Sequence, residues 1–226
     1  FTFGTGNPIP SNFASAITRI IHLDETITNG DNLFKDCTNL LTIKGMNNTF
    51  NSVNYMFQNC GKLTTTTLSQ CTFTNTVTEM ISMFEGCYEL SDDISLQIPN
   101  SCTNINNLFK NCNKVFDISG TTFDTGIITA NDWSPPNLKY ANNVTIKNNI
   151  VKFTDCKTLL NASVIFLGTS SSRLFSGCEN LKTVKFEGVT PIFTKFNDTF
   201  AKCYNLINVD CSNNDFSSVN NYSILY

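Results

Sequence analysis

The sequence predicts a repeat solenoid of α/β type: a stack of coils of about 22–27 residues, each with one short parallel strand and short helical turns opposite. Two observations predict it. The first is an eight-residue pattern, apolar-Phe-x-x-Cys-x-x-Leu, complete in Met83-Phe84-Glu85-Gly86-Cys87-Tyr88-Glu89-Leu90. It returns at Phe34 (with Cys37 and Leu40), Phe57 (Cys60, Leu63), Phe109 (Cys112, Val115), Phe175 (Cys178, Leu181) and Phe200 (Cys203, Leu206). Phe153, with Cys156 and Leu159, carries a degraded copy. The second is the period: taken in chain order, these phenylalanines are separated by 23, 27, 25, 44, 22 and 25 residues. The interval of 44 is two repeats with one motif eroded. A unit this short cannot bury an apolar face alone, so successive copies must stack.

In chain order, residues 1–26 lack the motif. Pro8 and Pro10 break any early helix, while Phe13 to Ile21 places apolar residues at spacings of three and four, which predicts an amphipathic helix. An end coil exposes its core unless covered, so this segment is expected to be an N-terminal cap. Regular repeats follow over 27–120. Each has an approach segment such as Phe73 to Phe84, where Val77, Met80, Met83 and Phe84 recur at helical spacing, then the Phe-x-x-Cys-x-x-Leu turn. A minimal alternating strand comes third: Ile43-Lys44-Gly45, Ile94-Ser95-Leu96, Ile118-Ser119-Gly120, Val184-Lys185-Phe186 and Val209-Asp210-Cys211. Stacked coils would align these strands in parallel at about 4.8 Å. Asn59, Gly86, Asn111 and Gly177 stand just before motif cysteines and tolerate left-handed backbone, which suits a turn ending there. Phe50, Phe73, Phe123 and Phe216 open approach segments and are expected in the core. The pattern loosens at Cys71 and Cys102. Residues 121–150 form an irregular coil or insertion carrying Trp133, Pro135, Pro136 and Tyr140, and repeats resume over 151–226, ending in an incomplete coil from Phe216 to Tyr226. An unfinished end is expected where the native chain continues or another subunit docks.

Composition narrows the function classes. Charged residues are only 15% of the chain, so Asn, Thr and Ser must supply most of the polar exterior, while 19 Phe supply a core. A net charge of -3 without a Lys/Arg cluster argues against nucleic acid as a partner, because nothing would neutralise phosphates. The longest apolar run, Val164 to Leu167, falls far short of the roughly 20 residues of a membrane span, so no membrane insertion by this segment is expected. The unbroken repeat favours one elongated domain over 1–226. A start at Phe1, with no signal-peptide pattern, is expected of a piece of something longer.

Of the 10 cysteines, Cys37, Cys60, Cys87, Cys112, Cys156, Cys178 and Cys203 share one repeat position. Equivalent positions project side by side, whereas a disulfide needs facing Cβ atoms, so reduced core thiols are expected, with a few bridges as the alternative. No Cys-x-x-Cys occurs and His22 is the single histidine, so zinc spacing is absent and no metal or cofactor is expected.

The run from Phe73 to Met80, followed by Met83 to Leu90 and a short strand, resembles the BspA-type leucine-rich repeats. These occur in surface proteins of gut and oral bacteria, mycoplasmas and some protists. The resemblance covers about residues 27 to 216, with a gap near 125 to 150. It implies a right-handed leucine-rich-repeat solenoid with a parallel sheet on one face, an extracellular or cell-surface location, and adhesion or binding. A strict Leu-x-Leu strand is rare here, and Asn and Thr replace many expected Asp and Ser. The family shares no catalytic residues and its ligand surfaces vary, so no binding residue carries over.

Little in the sequence points to chemistry. A Cys-His pair would have to use His22, in the expected cap, where a lone His is an ordinary surface or core residue. Gly4-Thr5-Gly6 lacks the third Gly and the strand of a dinucleotide loop. Asp92-Asp93 supplies too few oxygens for Ca²⁺ and is expected to be solvated. Trp133 and Tyr140 are binding candidates, since loops on rigid scaffolds carry binding, although they could instead plug the coil that lost its motif. Tyr88 and Tyr204, directly after motif cysteines, are candidates for an aromatic ridge or else half-buried edges. Asn-x-Ser/Thr at Asn47, Asn143, Asn161, Asn197 and Asn221 matters only in a eukaryotic secretory route. The expected function is a non-enzymatic extracellular binding or adhesion module presenting a rigid repeat surface to a protein or carbohydrate ligand. The alternative is a structural component of a fibre, surface layer or virus or phage particle, docking neighbouring subunits through the end coil and located in the virion or other large assembly.

Overall fold

The computed structural model describes residues 9–64, 71–91, 96–124, 126–187, 193–215 and 217–219. They fall into two compact units, one drawn from Phe1–Asp92, Pro99–Val115 and Ile128–Pro136, the other from Asp93–Ile98, Phe116–Ile127 and Asn137–Tyr226. Each is a repeat solenoid of parallel strands with little helix.

The first unit holds α1 (Ser11–Ala14) and the strands β1 (Arg19–Ile20), β2 (Thr42–Ile43), β3 (Thr49–Phe50) and β4 (Thr72–Phe73). β1 pairs with β2 and β3 with β4, both in parallel, with Ile20 against Ile43 and Phe50 against Phe73. Isolated parallel bridges Asn29↔Ser52, Glu79↔Asn104 and Asn104↔Thr129 continue this coil-to-coil pairing.

On the motif side the backbone solves its hydrogen bonding by alternation. The amides of Asn32, Phe34 and Asp36 donate to Asn54, Met56 and Gln58 of the next coil at 2.9, 2.9 and 2.8 Å. Those of Leu33, Lys35 and Cys37 donate three residues back, to Gly30, Asn32 and Phe34, at 3.1, 3.0 and 3.1 Å. Every other peptide unit thus serves the stack and the rest close turns, so no amide of this run is stranded in the interior. Such a path needs left-handed residues two before and two after each motif Phe: Asn32 and Asp36 (φ 55° and 60°), Tyr55 and Asn59 (57° and 62°), Ser82 and Gly86 (51° and 76°). Asn, Asp and Gly accept that conformation at little cost.

The core follows from the register. Phe34, Phe57, Phe84 and Phe109 are fully buried and stack in one column, with centroids 5.4 Å apart at each step and rings within 15° of parallel. Leu40, Leu63, Leu90 and Val115 run beside them, fully buried.

The second unit carries a five-stranded parallel sheet in chain order: β5 (Thr122–Phe123), β6 (Tyr140–Ile146), β7 (Asn161–Phe166), β8 (Thr183–Glu187) and β9 (Asn208–Asp210). Side chains alternate across it. Ala141, Val144, Ile146, Ala162, Val164, Phe166, Val184 and Phe186 point inward and are buried. β6 keeps this phase through a bulge between Ala141 and Val144, where Asn143 takes φ 53° and Asn142 and Asn143 add an extra residue. Phe153, Phe175 and Phe200 form a second stacked column at 5.4 and 5.8 Å, and Phe186 meets Phe175 edge-on at 6.4 Å.

Several local expectations are corrected. Helix is confined to Ser11–Ala14 rather than running to Ile21, because Arg19–Ile20 pairs as a strand and Ile9 already donates to Leu33 O (3.3 Å) as part of a coil. Val77, Met80, Met83 and Phe84 are all buried, but through consecutive turns and not a helix, since left-handed Ser82 interrupts the run. Around Ile118-Ser119-Gly120 no continuous strand forms: Asp117 bridges Tyr140, and Ile118 and Gly120 donate to the carbonyls of Tyr140 and Asn142 at 3.2 and 2.9 Å. Phe50 and Phe123 are buried as expected, and Phe73 is half-buried. Ile94-Ser95 and Phe216 lie outside the described residues. The stretch expected to be irregular contains β6, which at 7 residues is longer than the other described strands.

Candidate functional site

The motif cysteines are expected as reduced core thiols, and the turn places most of them in the interior. Left-handed Asn59, Gly86 and Asn111 turn the chain inward, and Cys60, Cys87 and Cys112 Sγ donate to the carbonyls of Phe34, Phe57 and Phe84 in the preceding coil at 3.0, 3.1 and 3.0 Å. In the second unit Cys178 and Cys203 donate to Phe153 and Phe175, both at 3.0 Å. Each of these carbonyls also accepts the amide three residues on, as Phe34 O does from Cys37 N at 3.1 Å, so both lone pairs are used. The Phe-x-x-Cys spacing therefore satisfies a carbonyl inside a dry column. Burial pushes the thiols of Cys37 and Cys112 up to about 12 and those of Cys71, Cys102, Cys203 and Cys211 up to about 11. It raises Cys60, Cys87 and Cys178 as well. A protonated, buried thiol is neither nucleophile nor metal ligand. All ten cysteines are described, and none of them is in a disulfide. Among the described residues no group of three or more His, Cys, Asp or Glu could hold a metal ion. His22 is exposed, away from the dry interior that holds most motif thiols. No described helix is long and apolar enough to cross a membrane.

What the molecule offers is the outer face of the second unit's sheet. Pairing aligns Tyr140, Asn161, Thr183 and Asn208 in one row across β6 to β9. Thr122, Thr145, Ile165 and Glu187 form another, and Ser163, Lys185 and Asp210 a third. Thr183 Oγ1 donates to Asn161 Oδ1 at 2.7 Å, which orients the amide within its row. Lys185 Nζ lies 3.4 Å from Glu187, and the Asp210 carboxyl is held below its usual range by hydrogen bonds from Ser212 and by nearby Lys185. The face is polar and nearly charge-balanced, and its hydroxyl and amide groups stand at the strand spacing of about 4.8 Å.

Of the aromatic candidates, Tyr140 opens the first row and is 37% exposed. Tyr204, in the same unit, is 72% exposed on the turn after Cys203. Tyr88 belongs to the first unit, is 48% exposed, and lies over Gly61, whose missing Cβ leaves room for the ring. Trp133 is 3% exposed and cannot offer its indole face to a macromolecule. Its carbonyl accepts the Phe109 amide at 3.0 Å, just as Met56, Met83 and Leu108 accept from Phe34, Phe57 and Phe84. Trp133 thus occupies the apolar position of the eroded motif, and Ser134 stands where its Phe would be. Asn47 and Asn143 are exposed, and Asn161 and Asn197 half-buried. Gly4-Thr5-Gly6, Asp92-Asp93 and Asn221 lie outside the described residues. Thr183 and Asn208 were not singled out in the sequence, and Asn161 only as an Asn-x-Ser match, although their outward phase in alternating strands was a readable signal.

Residues 11–119 and 137–225 match, in six copies, the family described as BspA type leucine rich repeat region. Among solved structures, a leucine rich cell surface protein from Faecalibacterium prausnitzii is similar at 15% identity and TM-score 0.38, over 85% of this chain and 78% of that one. A leucine-rich repeat protein from Eubacterium ventriosum is similar at 13% identity and TM-score 0.31, over 92% and 78%. Another from Bacteroides ovatus is similar at 17% identity and TM-score 0.23, over 86% and 68%. No curated protein matches the chain.

Proposed function

The chain belongs to the BspA-type leucine-rich-repeat family, and from that premise we propose that it is a non-catalytic binding module of the cell surface or extracellular space. It meets a protein or glycan ligand over the outer face of the second unit's sheet. One observation carries this reading: the row Tyr140, Asn161, Thr183 and Asn208, each fixed by strand pairing and one of them aromatic and exposed. Side chains seated on a hydrogen-bonded parallel sheet lose little freedom when a ligand arrives, so weak polar contacts can add along the row. The absence of a deep reactive centre in this reading is matched by thiols that burial keeps protonated.

The test is retention of the purified chain on cells, glycan arrays and matrix proteins, with the double variant Tyr140→Ala/Thr183→Ala in parallel. Wild-type retention at micromolar concentration that falls about tenfold in the variant is expected. No retention on any of the three surfaces would sink the proposal.

A further inference from the structure

We propose that the outward row formed by Phe116, Lys139, Leu160, Lys182 and Ile207 is a docking strip for an acidic peptide segment in polyproline II conformation. The inference rests on the binding-module reading and adds the class of partner. The five residues sit on successive coils of the second unit, joined by consecutive backbone hydrogen bonds. Lys139 N donates to Phe116 O (2.8 Å), Leu160 N to Lys139 O (2.9 Å), Lys182 N to Leu160 O (2.8 Å) and Ile207 N to Lys182 O (2.8 Å). All occupy the position just after the motif leucine or its equivalent, at the edge of the polar sheet face.

Apolar and cationic side chains alternate along this row. Phe116 is 40% and Ile207 80% exposed, Leu160 is half-buried, and both lysines are exposed. Lys139 Nζ lies 4.6 Å from the Phe116 ring centroid. Neither Lys139 nor Lys182 is in an ion pair among the described residues, whereas neighbouring Lys157 and Lys185 are taken by Glu179 and Glu187. The nearby Asp117 carboxylate accepts from Ser119 N and Oγ at 2.8 and 2.5 Å, so it is turned onto its own loop. Two unneutralised cations with apolar surface between and beside them call for an anionic, partly apolar ligand.

Spacing selects the conformation. Hydrogen-bonded coils lie about 4.8 Å apart, so the lysines are separated by about 9.6 Å, as are the apolar positions. A polyproline II helix repeats every three residues at about 3.1 Å each, or about 9.3 Å per turn, and brings every third side chain to one face. A β-strand repeats on one face at about 6.8 Å and falls out of step. Acidic residues at every third position would meet Lys139 and Lys182 together, with intervening prolines against Phe116, Leu160 and Ile207. Such a segment is ordered before binding, which lowers its entropic cost.

Fluorescence anisotropy of the chain with a labelled Glu-Pro-Pro repeat peptide tests this, using polyproline, a Glu-Pro-Pro-Pro repeat and hyaluronan fragments as comparisons. Binding of the Glu-Pro-Pro peptide is expected to weaken with salt and to drop about tenfold in Lys139→Glu/Lys182→Glu, whose circular dichroism and melting should match the parent because both sites are exposed. Equal binding of polyproline or of the four-residue repeat would overturn the proposal. So would a charge-reversed variant that binds unchanged, or preference for hyaluronan over the peptide. If the variant still adheres to cells or arrays as the parent does while the peptide fails, this strip falls and the binding-module reading stands. If the parent adheres to nothing, both fall.

Discussion

Phe84→Ala probes the stacked column directly. Phe84 is fully buried between Phe57 and Phe109, with 5.4 Å between centroids on either side and interplanar angles of 11° and 9°. Truncating a buried Phe costs about 3–5 kcal/mol in lost transfer energy and residual cavity. Here the upper part of that range is expected, because the cavity cannot close. Phe57 N is bonded to Met83 O at 2.9 Å and Phe84 N to Leu108 O at 3.0 Å, which pins the coils on both sides. For a chain of this length the loss corresponds to a fall in Tm of about 6–20 °C. Urea unfolding followed by far-UV circular dichroism gives the free energy, and a cycle with Phe57→Ala isolates the pair. A coupling of about 0.5–1.5 kcal/mol is expected for stacked neighbours. Phe34, two rings away from Phe84, should add independently within about 0.5 kcal/mol. A cost below about 1 kcal/mol for Phe84→Ala, the level of an ordinary substitution, would refute the column as a source of stability. Equal coupling of Phe84 to Phe34 and to Phe57 would refute its contact order.

The remaining predictions concern thiols and backbone. Because burial raises the folded-state Cys112 thiol to about 12 from 9.0, the unfolded chain releases protons first as pH climbs past 9.0. Stability is therefore intact below pH 9.0 and declines between pH 9.0 and about 12, by up to about 1.4 kcal/mol per pH unit for each such thiol. A urea midpoint unchanged from pH 8 to pH 11 would contradict it, as would 10 thiols reacting rapidly with Ellman's reagent in the folded protein. Gly177→Ala places a Cβ 2.0 Å from Asp155 Oδ1 at φ +79°, so it should cost more than the roughly 1–2 kcal/mol of left-handed backbone alone. Adding Asp155→Gly should recover the clash and leave the backbone part, and failure of that rescue would count against the packing described. Arg173→Asn should stabilise by about 0.5 kcal/mol, because Arg173 sits at φ 59° and its ion pair with Asp198 is long and exposed. A lower urea midpoint would show that the pair outweighs the strain.

The residues that specify the fold most plainly are those whose chemistry repeats. Phe, Cys and Leu at fixed spacing announce the column, and Asn59, Gly86, Asn111 and Gly177 announce left-handed turns, which they adopt at φ 62°, 76°, 63° and 79°. The second left-handed position, two residues before each Phe, was hidden because Tyr55, Ser82 and Arg173 hold it alongside Asn32, Asn107 and Asp198. There the coil-to-coil hydrogen bonds impose the conformation against residue preference. The strand β6 was hidden by Asn142-Asn143, which break the alternation unless a bulge is allowed. Trp133 was legible as a core plug or a binder, and it is the burial of its side chain that favours the plug. At the candidate surface, Tyr140 stood out as an aromatic in an interrupted repeat. Its row mates Thr183 and Asn208 did not, and Asn161 did only as an Asn-x-Ser match, because cross-strand register is not written in any one segment.

The alternating amides beside each motif Phe all run one way. Phe34, Phe57 and Phe84 give their backbone hydrogens forward to Met56, Met83 and Leu108, and the bonds that run back to these phenylalanines come from the weaker thiol donors Cys60, Cys87 and Cys112. Such a series is polarised, like a file of compass needles that share a heading, with partial positive charge gathering toward one extremity and partial negative toward the other. Whatever prolongs the file must arrive with the matching half, oxygens to one extremity and hydrogens to the other, so this flank of the fold has an intrinsic sense of direction.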